Sequence, residues 1–173
     1  SCNDSTLVDG FYIARANNDN DGFGGGMRIS GGSPLVRNCD FTTNQANRGG
    51  AGLYCSNSSA RIVGCTFFNG TVSGGNAGGG AGLQAVGPNG SISVQNCRFL
   101  GNSSEGEGGA VITSAVSADF ANCFFSGNTS GFRGGAMYVY GTTSTVTLRN
   151  CTYSRNVASD FCGGVYLTGA MSM

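Results

Sequence analysis

The side chains that could do chemistry in this chain are acidic, amide and thiol groups, and the densest oxygen-rich stretch is 17–22. Asn17, Asp19 and Asp21 stand at alternate positions before Gly22, which is the spacing of the first half of a calcium-binding loop. The twelfth position of such a loop should hold a bidentate acid, but Arg28 stands there. We therefore predict an Asn/Asp-rich surface turn rather than a calcium site, and no bound cofactor other than glycans.

Seven Asn-x-Ser/Thr sequons provide possible acceptors for N-linked glycans, and they begin at Asn3, Asn57, Asn69, Asn89, Asn102, Asn128 and Asn150. Because loops face solvent, we predict glycans on the loop sequons Asn57, Asn69, Asn89, Asn102 and Asn128, with Asn3 as a further candidate. Asn150 should be bare, since it precedes a buried cysteine at a corner. The alternative is that Asn and Ser serve only as turn residues.

Five of the eight cysteines recur at intervals of 26, 32, 26 and 28 residues: Cys39, Cys65, Cys97, Cys123 and Cys151. No Cys-x-x-Cys pair and no histidine accompany them, which argues against a zinc site. The spacing predicts an inward column of mostly free thiols, and Cys55 is also expected to point inward. Cys2 and Cys162 lie outside this column and are the candidates for disulfides, within or between chains.

Charge and composition narrow the classes of partner. The formal net charge is zero, whereas binders of nucleic acid or anionic membranes need a basic excess. No run approaches the ~20 apolar residues of a membrane span. The sequons, together with the absence of histidine, favour an extracellular or cell-surface protein.

The elements that must position these residues are repeated. Before each Asn-Cys pair apolar residues alternate, as at Ile92 and Val94, and an Asn then interrupts the phase as a corner residue should. A Gly-Gly pair and a further strand follow. Three short strands per repeat, with no helical period, predict a parallel β-helix of about six coils whose equivalent residues stack ~4.8 Å apart. The whole chain, 1–173, would be one domain, with partial coils at 1–24 and 163–173 around the repeated coils at 25–162.

Three sets of stacked residues follow from this register. Aromatic rings should form an interior column at Phe41, Phe67, Phe99, Phe125 and Tyr153. Corner amides should pair at Asn38, Asn96, Asn122 and Asn150, with Gly64 breaking the series and bending that coil differently. After the Gly-Gly pair, Leu53, Leu83, Ile112 and Tyr138 are expected inward, and the outward sites would be Arg28, Gly52, Gly82, Val111, Met137 and Tyr166.

The repeats closely resemble the right-handed parallel β-helix repeats of polymorphic outer-membrane proteins. The G-G-A-[ILV] motif stands at 108–111, and F-x-x-N stands at 41–44, 99–102 and 125–128, with a Tyr variant at 153–156. The copy at 67–69 is one residue short. This resemblance implies surface display, adhesion or scaffolding, and it transfers no catalytic residue.

The leading prediction for function is a structural or adhesive extracellular glycoprotein, either a unit of a surface protein or a subunit that stacks head to tail on itself through open ends. The alternative is a carbohydrate-binding or polysaccharide-active β-helix. The expected outward sites hold no carboxylate, so we predict that the protein is not an enzyme. An ice-binding face is less well supported, because the threonines do not recur at one strand position.

Overall fold

The computed structural model describes residues 3, 5–75 and 78–168, which form 24 short strands. The strands make four parallel sheets of six strands each, with each strand paired to its equivalent in the neighbouring coil or coils. The predicted solenoid of about six coils is therefore confirmed. Among these residues no helix is long and apolar enough to cross a membrane.

The strands are numbered in chain order, and each coil adds one strand to every sheet. The first sheet contains β1 (Leu7–Asp9), β5 (Leu35–Arg37), β9 (Arg61–Val63), β13 (Ser91–Gln95), β17 (Ser117–Ala121) and β21 (Thr145–Arg149). The second contains β2 (Tyr12–Ala14), β6 (Asp40–Thr42), β10 (Thr66–Phe68), β14 (Arg98–Leu100), β18 (Phe124–Ser126) and β22 (Thr152–Ser154). The third contains β3 (Asn17–Asn18), β7 (Gln45–Ala46), β11 (Thr71–Val72), β15 (Ser103–Ser104), β19 (Thr129–Ser130) and β23 (Val157–Ala158). The fourth contains β4 (Met27–Ser30), β8 (Leu53–Ser56), β12 (Leu83–Val86), β16 (Val111–Ser114), β20 (Met137–Tyr140) and β24 (Val165–Leu167).

Each coil has four strands, so the expectation of three was wrong. The additional strand is the two-residue element of the third sheet, in the stretch that was expected to be a polar loop. A pair of residues is too short to show an alternation in the sequence. Its second residue is nevertheless small and turned inward at buried positions such as Ala46, Val72 and Ser104.

Counted from β1, residues 7–30 and 145–167 each supply a strand to all four sheets. We call these segments coil 1 and coil 6. The partial coils expected at 1–24 and 163–173 are counted from a different strand, since a coil can be counted from any of the four sheets. The residues outside the described ranges do not enter this count.

The interior is built from stacked columns. Phe41, Phe67, Phe99, Phe125 and Tyr153 form the aromatic column, with ring centroids 4.8–4.9 Å apart and interplanar angles of 4–5°. The four phenylalanines are at most 1% exposed. Beside them lies the cysteine column, in which Cys39, Cys65, Cys97 and Cys123 are buried and Cys151, in coil 6, is half-buried.

The corner asparagines hold the sharp bend between the first and second sheets. Asn38, Asn96, Asn122 and Asn150 all have φ between 51° and 54°, a region that Asn tolerates better than most residues. Asn122 Nδ2 donates to Asn96 Oδ1 at 3.2 Å, and Asn150 Nδ2 donates to Asn122 Oδ1 at 3.4 Å. Gly64 has φ 64°, so it breaks the amide series but keeps the same left-handed corner.

The register of the fourth sheet differs from the expected one. Met27, Leu53, Leu83, Val111, Met137 and Val165 are paired with one another and pack in or against the core. Ile112 and Tyr138 therefore point outward, while Val111 and Met137 point inward, the reverse of the prediction. The error arose because the Gly-Gly pairs at 49–50 and 108–109 are not equivalent. Gly50 aligns with Gly108, the position at which φ is positive in both coils.

Candidate functional site

The outer row of the fourth sheet consists of Arg28, Tyr54, Gln84, Ile112, Tyr138 and Tyr166. The residues that precede the strands of the fourth sheet form a second row beside the first. Isolated β-bridges join Phe23, Gly49, Gly79 and Glu107 in succession, and another bridge joins Arg133 to Phe161. The outward side chains of Tyr54, Gln84 and Ile112 lie against Phe23, Gly49 and Gly79, respectively, each in the preceding coil. The rings of Tyr54 and Phe23 are 4.7 Å apart, and a Cβ added at Gly49 would overlap the Gln84 carboxamide. The row is therefore largely buried although it points away from the core.

An aromatic cluster occupies the end of this row in the last two coils, formed by Tyr138, Tyr140, Phe161 and Tyr166. Tyr138 stacks on Tyr140 at 5.1 Å and on Tyr166 at 5.7 Å, and Phe161 lies 5.9 Å from Tyr166. The Arg133 guanidinium lies over both Phe161 and Tyr166, at 5.7 and 5.6 Å. Phe161 is half exposed. Sequence reasoning missed this cluster because its register placed Tyr138 inside.

Glu107 adds a carboxylate to the edge of the aromatic cluster. Its Oε1 lies 3.4 Å from Arg133 Nη1. Burial raises the pKa of Glu107, while the Arg133 charge opposes that shift. The structure places an acid, a guanidinium and four rings in one patch.

The oxygen-rich stretch at 17–22 is occupied by its own hydrogen bonds. Asn17 Nδ2 donates to Asp19 Oδ2 at 2.9 Å, and Asn18 Nδ2 donates to Asp21 Oδ1 at 2.8 Å. Asp21 also pairs with Arg28, the residue that replaces the missing calcium ligand. Hydrogen bonds from the Asn18 side chain and the Phe23 backbone, followed by the Arg28 contact, lower the pKa of Asp21. Over the described residues no group of three His, Cys, Asp or Glu side chains could hold a metal ion.

The sequons fall into two structural groups. Asn57, Asn69 and Asn89 are exposed at turns, and Asn3 is exposed near the start of the described chain. Asn102 and Asn128 are 1% and 0% exposed, so the expectation that these loop asparagines face solvent was wrong. Asn150 is exposed in the corner series, and its predicted lack of a glycan stays a prediction.

Asn102 and Asn128 belong to an inner column with Asn44 and Asn156, which fills the bend between the second and third sheets. Asn128 Nδ2 donates to Phe99 O at 3.0 Å and to Asn156 Oδ1 at 2.8 Å. Asn102 Nδ2 donates to Phe67 O and to Asn128 Oδ1, both at 3.0 Å. Gly70 occupies the equivalent place in the third coil, where its backbone N–H donates to Asn102 Oδ1 at 3.0 Å. The copy at 67–69 is thus not shortened, because Asn69 stands at the preceding corner with φ 51°.

The inner column explains two of the seven sequons. In Asn102-Ser-Ser104 and Asn128-Thr-Ser130, the Asn completes the column, the middle residue faces outward, and the final Ser is a small buried residue of the third sheet. The sequon pattern arises there from the packing of the coil. At these two positions the structure favours the alternative interpretation, in which Asn and Ser have a structural role at the turns.

The cysteines in the column are free thiols with backbone partners. Cys97 Sγ donates to Ile62 O at 3.7 Å, and Cys123 Sγ to Val94 O at 3.5 Å. Hydrogen bonding to Cys123 and Cys65, together with burial, raises the pKa of Cys97. Cys162 is exposed, and its Sγ lies 3.0 Å from Val165 O. Cys2 lies outside the described residues, so its predicted disulfide stays a prediction.

Comparison with curated proteins found no match, and comparison with solved structures found none either. One family model, described as the right-handed β-helix region, matches residues 7–173. That match covers nearly all of the chain and includes every strand of the four sheets. The chain therefore belongs to the right-handed β-helix family.

Proposed function

We propose that this chain is a structural or adhesive unit of the cell surface or extracellular space that associates head to tail with further copies of itself. One observation carries the proposal: the residues of coil 6 and coil 1 are complementary in the register that the sheets already use. In the described part, each sheet has one of the strands β1–β4 at one edge and one of β21–β24 at the other, and no further strand pairs with the outer side of either edge. Unpaired strand edges are templates for adding strands.

Charged residues at the two ends of one column would face each other in such a contact. Asp9, Arg37 and Arg149 occupy one column of the first sheet, and Arg37 Nη2 lies 2.7 Å from Asp9 Oδ2. The hydrogen bond from Arg37, then that from Asn38, lowers the pKa of Asp9. A second copy stacked below coil 6 would bring its Asp9 beside Arg149. This contact would give a second carboxylate to Arg149, whose Nη2 already lies 2.6 Å from Asp119 Oδ2.

The apolar columns continue in the same way. A second copy's Val8 would follow Leu148, and its Ile13 would follow Tyr153 at the end of the aromatic column. Leu148 is 36% exposed although its column is otherwise buried at Val36, Ile62, Val94 and Phe120. Burial of such side chains supplies about 25 cal/mol per Å² of apolar surface. A heterologous contact that does not close builds a filament.

Sedimentation velocity of the 173-residue chain over a range of concentrations tests the proposal. The wild type should form end-to-end oligomers that grow with concentration. Leu148→Lys places a charge in the contact and should sediment as a monomer. Thr147→Lys, on the same strand but facing outward, is the matched control and should still associate. A wild type that stays monomeric at high concentration, or a Leu148→Lys variant that associates equally well, would contradict head-to-tail stacking.

A carbohydrate ligand is the second candidate, favoured by the aromatic cluster beside Arg133 and Glu107. Aromatic rings offer apolar faces to sugar rings, and the charged pair offers hydrogen bonds to hydroxyl groups. Affinity electrophoresis in gels containing soluble polysaccharides would test it. Phe161→Ala should abolish any retardation, whereas Phe68→Ala, an exposed ring of the second sheet, should not change it. Equal retardation of both variants would exclude the cluster as the site.

A further inference from the structure

The two buried sequons carry an inference about how the chain can be modified. It rests on the proposed function in one respect: an extracellular protein made by a cell that carries out N-glycosylation is exposed to that reaction during secretion. From the geometry of the inner column we infer that folding and N-glycosylation compete for Asn102 and Asn128, whereas Asn57, Asn69 and Asn89 are open to glycans after folding.

N-glycosylation consumes the atom on which the inner column depends. In that reaction Nδ2 bonds to C1 of the first sugar, the bond from C1 to the lipid-linked pyrophosphate breaks, and Nδ2 loses a proton. In the folded chain both Nδ2 hydrogens of Asn128 are already donated, to Phe99 O and Asn156 Oδ1. Both hydrogens of Asn102 are donated as well, to Phe67 O and Asn128 Oδ1. A sugar on either nitrogen removes a donor and needs space that these buried sites lack.

Neighbouring backbone N–H groups also depend on the side-chain oxygens of the two asparagines. The backbone N–H of Asn102 donates to Asn128 Oδ1, and that of Gly70 donates to Asn102 Oδ1, each at 3.0 Å. Turning Asn128 outward to carry a glycan would leave the Asn102 N–H unpaired, and turning Asn102 outward would leave the Gly70 N–H unpaired. The modified coil therefore cannot close on its neighbours.

The asparagines of the exposed sequons are not part of the inner column. Asn57 and Asn69 stand at turns with positive φ, and Asn89 lies in the turn between β12 and β13. All three side chains are exposed. A glycan there extends into solvent, and the paired strands on either side are undisturbed.

The sequence offers a way to remove the buried sequons without removing the asparagines. Ser104 and Ser130 stand in the third sheet at the position that Ala46 and Ala158 occupy in other coils. Alanine therefore fits this site. Ser130 Oγ has no hydrogen-bond partner in the folded chain, whereas Ser104 Oγ accepts from Gly106 N at 3.0 Å. The double variant Ser104→Ala/Ser130→Ala abolishes both sequons and keeps the inner column intact.

The experiment expresses the chain with a signal peptide in a eukaryotic secretion host. Glycopeptide mapping of the secreted protein should find glycans at Asn57, Asn69 and Asn89 and none at Asn102 or Asn128. Chains retained in the cell should carry glycans at Asn102 or Asn128. The double variant should be secreted at least twofold better than the wild type, and Ser59→Ala, which removes only the Asn57 sequon, should not change secretion.

Bacterially produced wild type and double variant, which carry no glycans, serve as the fold control. Their urea midpoints show whether the substitutions stabilise the fold directly, and we expect the variant to be no more stable than the wild type. A glycan on Asn102 or Asn128 of secreted protein would overturn the inference, as would a double variant secreted no better than the wild type. Neither result bears on head-to-tail association, which is measured on the unglycosylated chain.

Discussion

Asn102 and Asn128 are joined by two hydrogen bonds, because the backbone N–H and the Nδ2 group of Asn102 both donate to Asn128 Oδ1 at 3.0 Å. One buried oxygen thus fixes both the backbone and the side chain of the coil before it. The inner column repeats this contact where the coil bends from the second sheet to the third, so its amides replace the strand hydrogen bonds that the bend interrupts.

Asn128→Ala should destabilise the fold strongly. It leaves the Asn102 backbone N–H and Nδ2 without their acceptor, and each buried polar group left unpaired costs about 1–3 kcal/mol. Asn122→Gly is the control, because it removes an exposed amide and keeps the left-handed corner, so its effect should stay within about 1 kcal/mol. Urea denaturation followed by circular dichroism measures both. Equal midpoints for the two variants would contradict a special role for the inner column.

Phe99→Ala should cost about 3–5 kcal/mol of unfolding free energy, as large core truncations do. Phe99 is fully buried, and its ring stacks on Phe67 and Phe125 at 4.8 Å on either side. Phe68→Ala removes a ring that is 41% exposed from a neighbouring coil of the same sheet, and its cost should be much smaller. The difference between the two urea midpoints is the test, and a midpoint for Phe99→Ala that matches wild type would refute the stacking argument.

Gly109→Ala should prevent stable closure of the fourth coil. A Cβ at Gly109 would overlap the carbonyl oxygens of Gly135 and Thr129, which are backbone atoms that cannot turn aside. Gly164→Ala is a matched control, because nothing lies within 4 Å of a Cβ there and Ala110 and Ala136 stand at the same position in other coils. We expect soluble, folded Gly164→Ala and aggregated or strongly destabilised Gly109→Ala, compared by soluble yield and thermal midpoint.

The buried thiol of Cys55 predicts a loss of stability at alkaline pH. Burial raises the pKa of Cys55 to about 12, whereas the pKa of a cysteine in an unfolded chain is about 8.5. A raised folded pKa gives stability that is fully present below the unfolded pKa and is lost as pH rises toward the folded pKa. The urea midpoint should therefore be constant in neutral solution and fall between about pH 8.5 and 12.

Cys55→Ala separates this contribution from others. Ala85 occupies the same column in the next coil, so alanine is tolerated there, and the variant should lose less stability over the alkaline range than the wild type. Part of the loss should remain, because the pKa of Cys97 and, through burial, that of Tyr153 are also raised. If the wild type and the variant lose stability in parallel, Cys55 does not titrate in this range.

The sequence was informative where one residue type recurs at one structural position. Cys and Phe stand at the same sites in nearly every coil, so their intervals were enough to predict the solenoid and its stacked interior. The Gly-Gly pairs misled because Gly50 and Gly108 are equivalent while the glycines beside them are not. At this corner three successive positions leave little room for a side chain, so glycine is favoured at each of them. The Gly-Gly pair therefore stands one residue later in some copies than in others.

The inner column had a signal that could have been read. In Phe99-Leu-Gly-Asn102 the Phe faces inward, and the glycine has φ 61°, which turns the chain so that the Asn faces inward as well. Sequence reasoning treated this Asn as part of a motif and then as a glycan acceptor. The aromatic cluster could not be recognised until the correct register placed Tyr138 on the outside.

The changing repeat length is absorbed at two corners. Relative to the 26-residue coils, the third coil has four extra residues between β11 and β12, and two more lie between β12 and the part of β13 that pairs with β9. No column changes its register across these additions. The corner at 87–90 is therefore a natural position for grafting foreign peptides. A guest sequence inserted there would be displayed at a fixed height along the solenoid, and the number of coils between two such guests would set their separation.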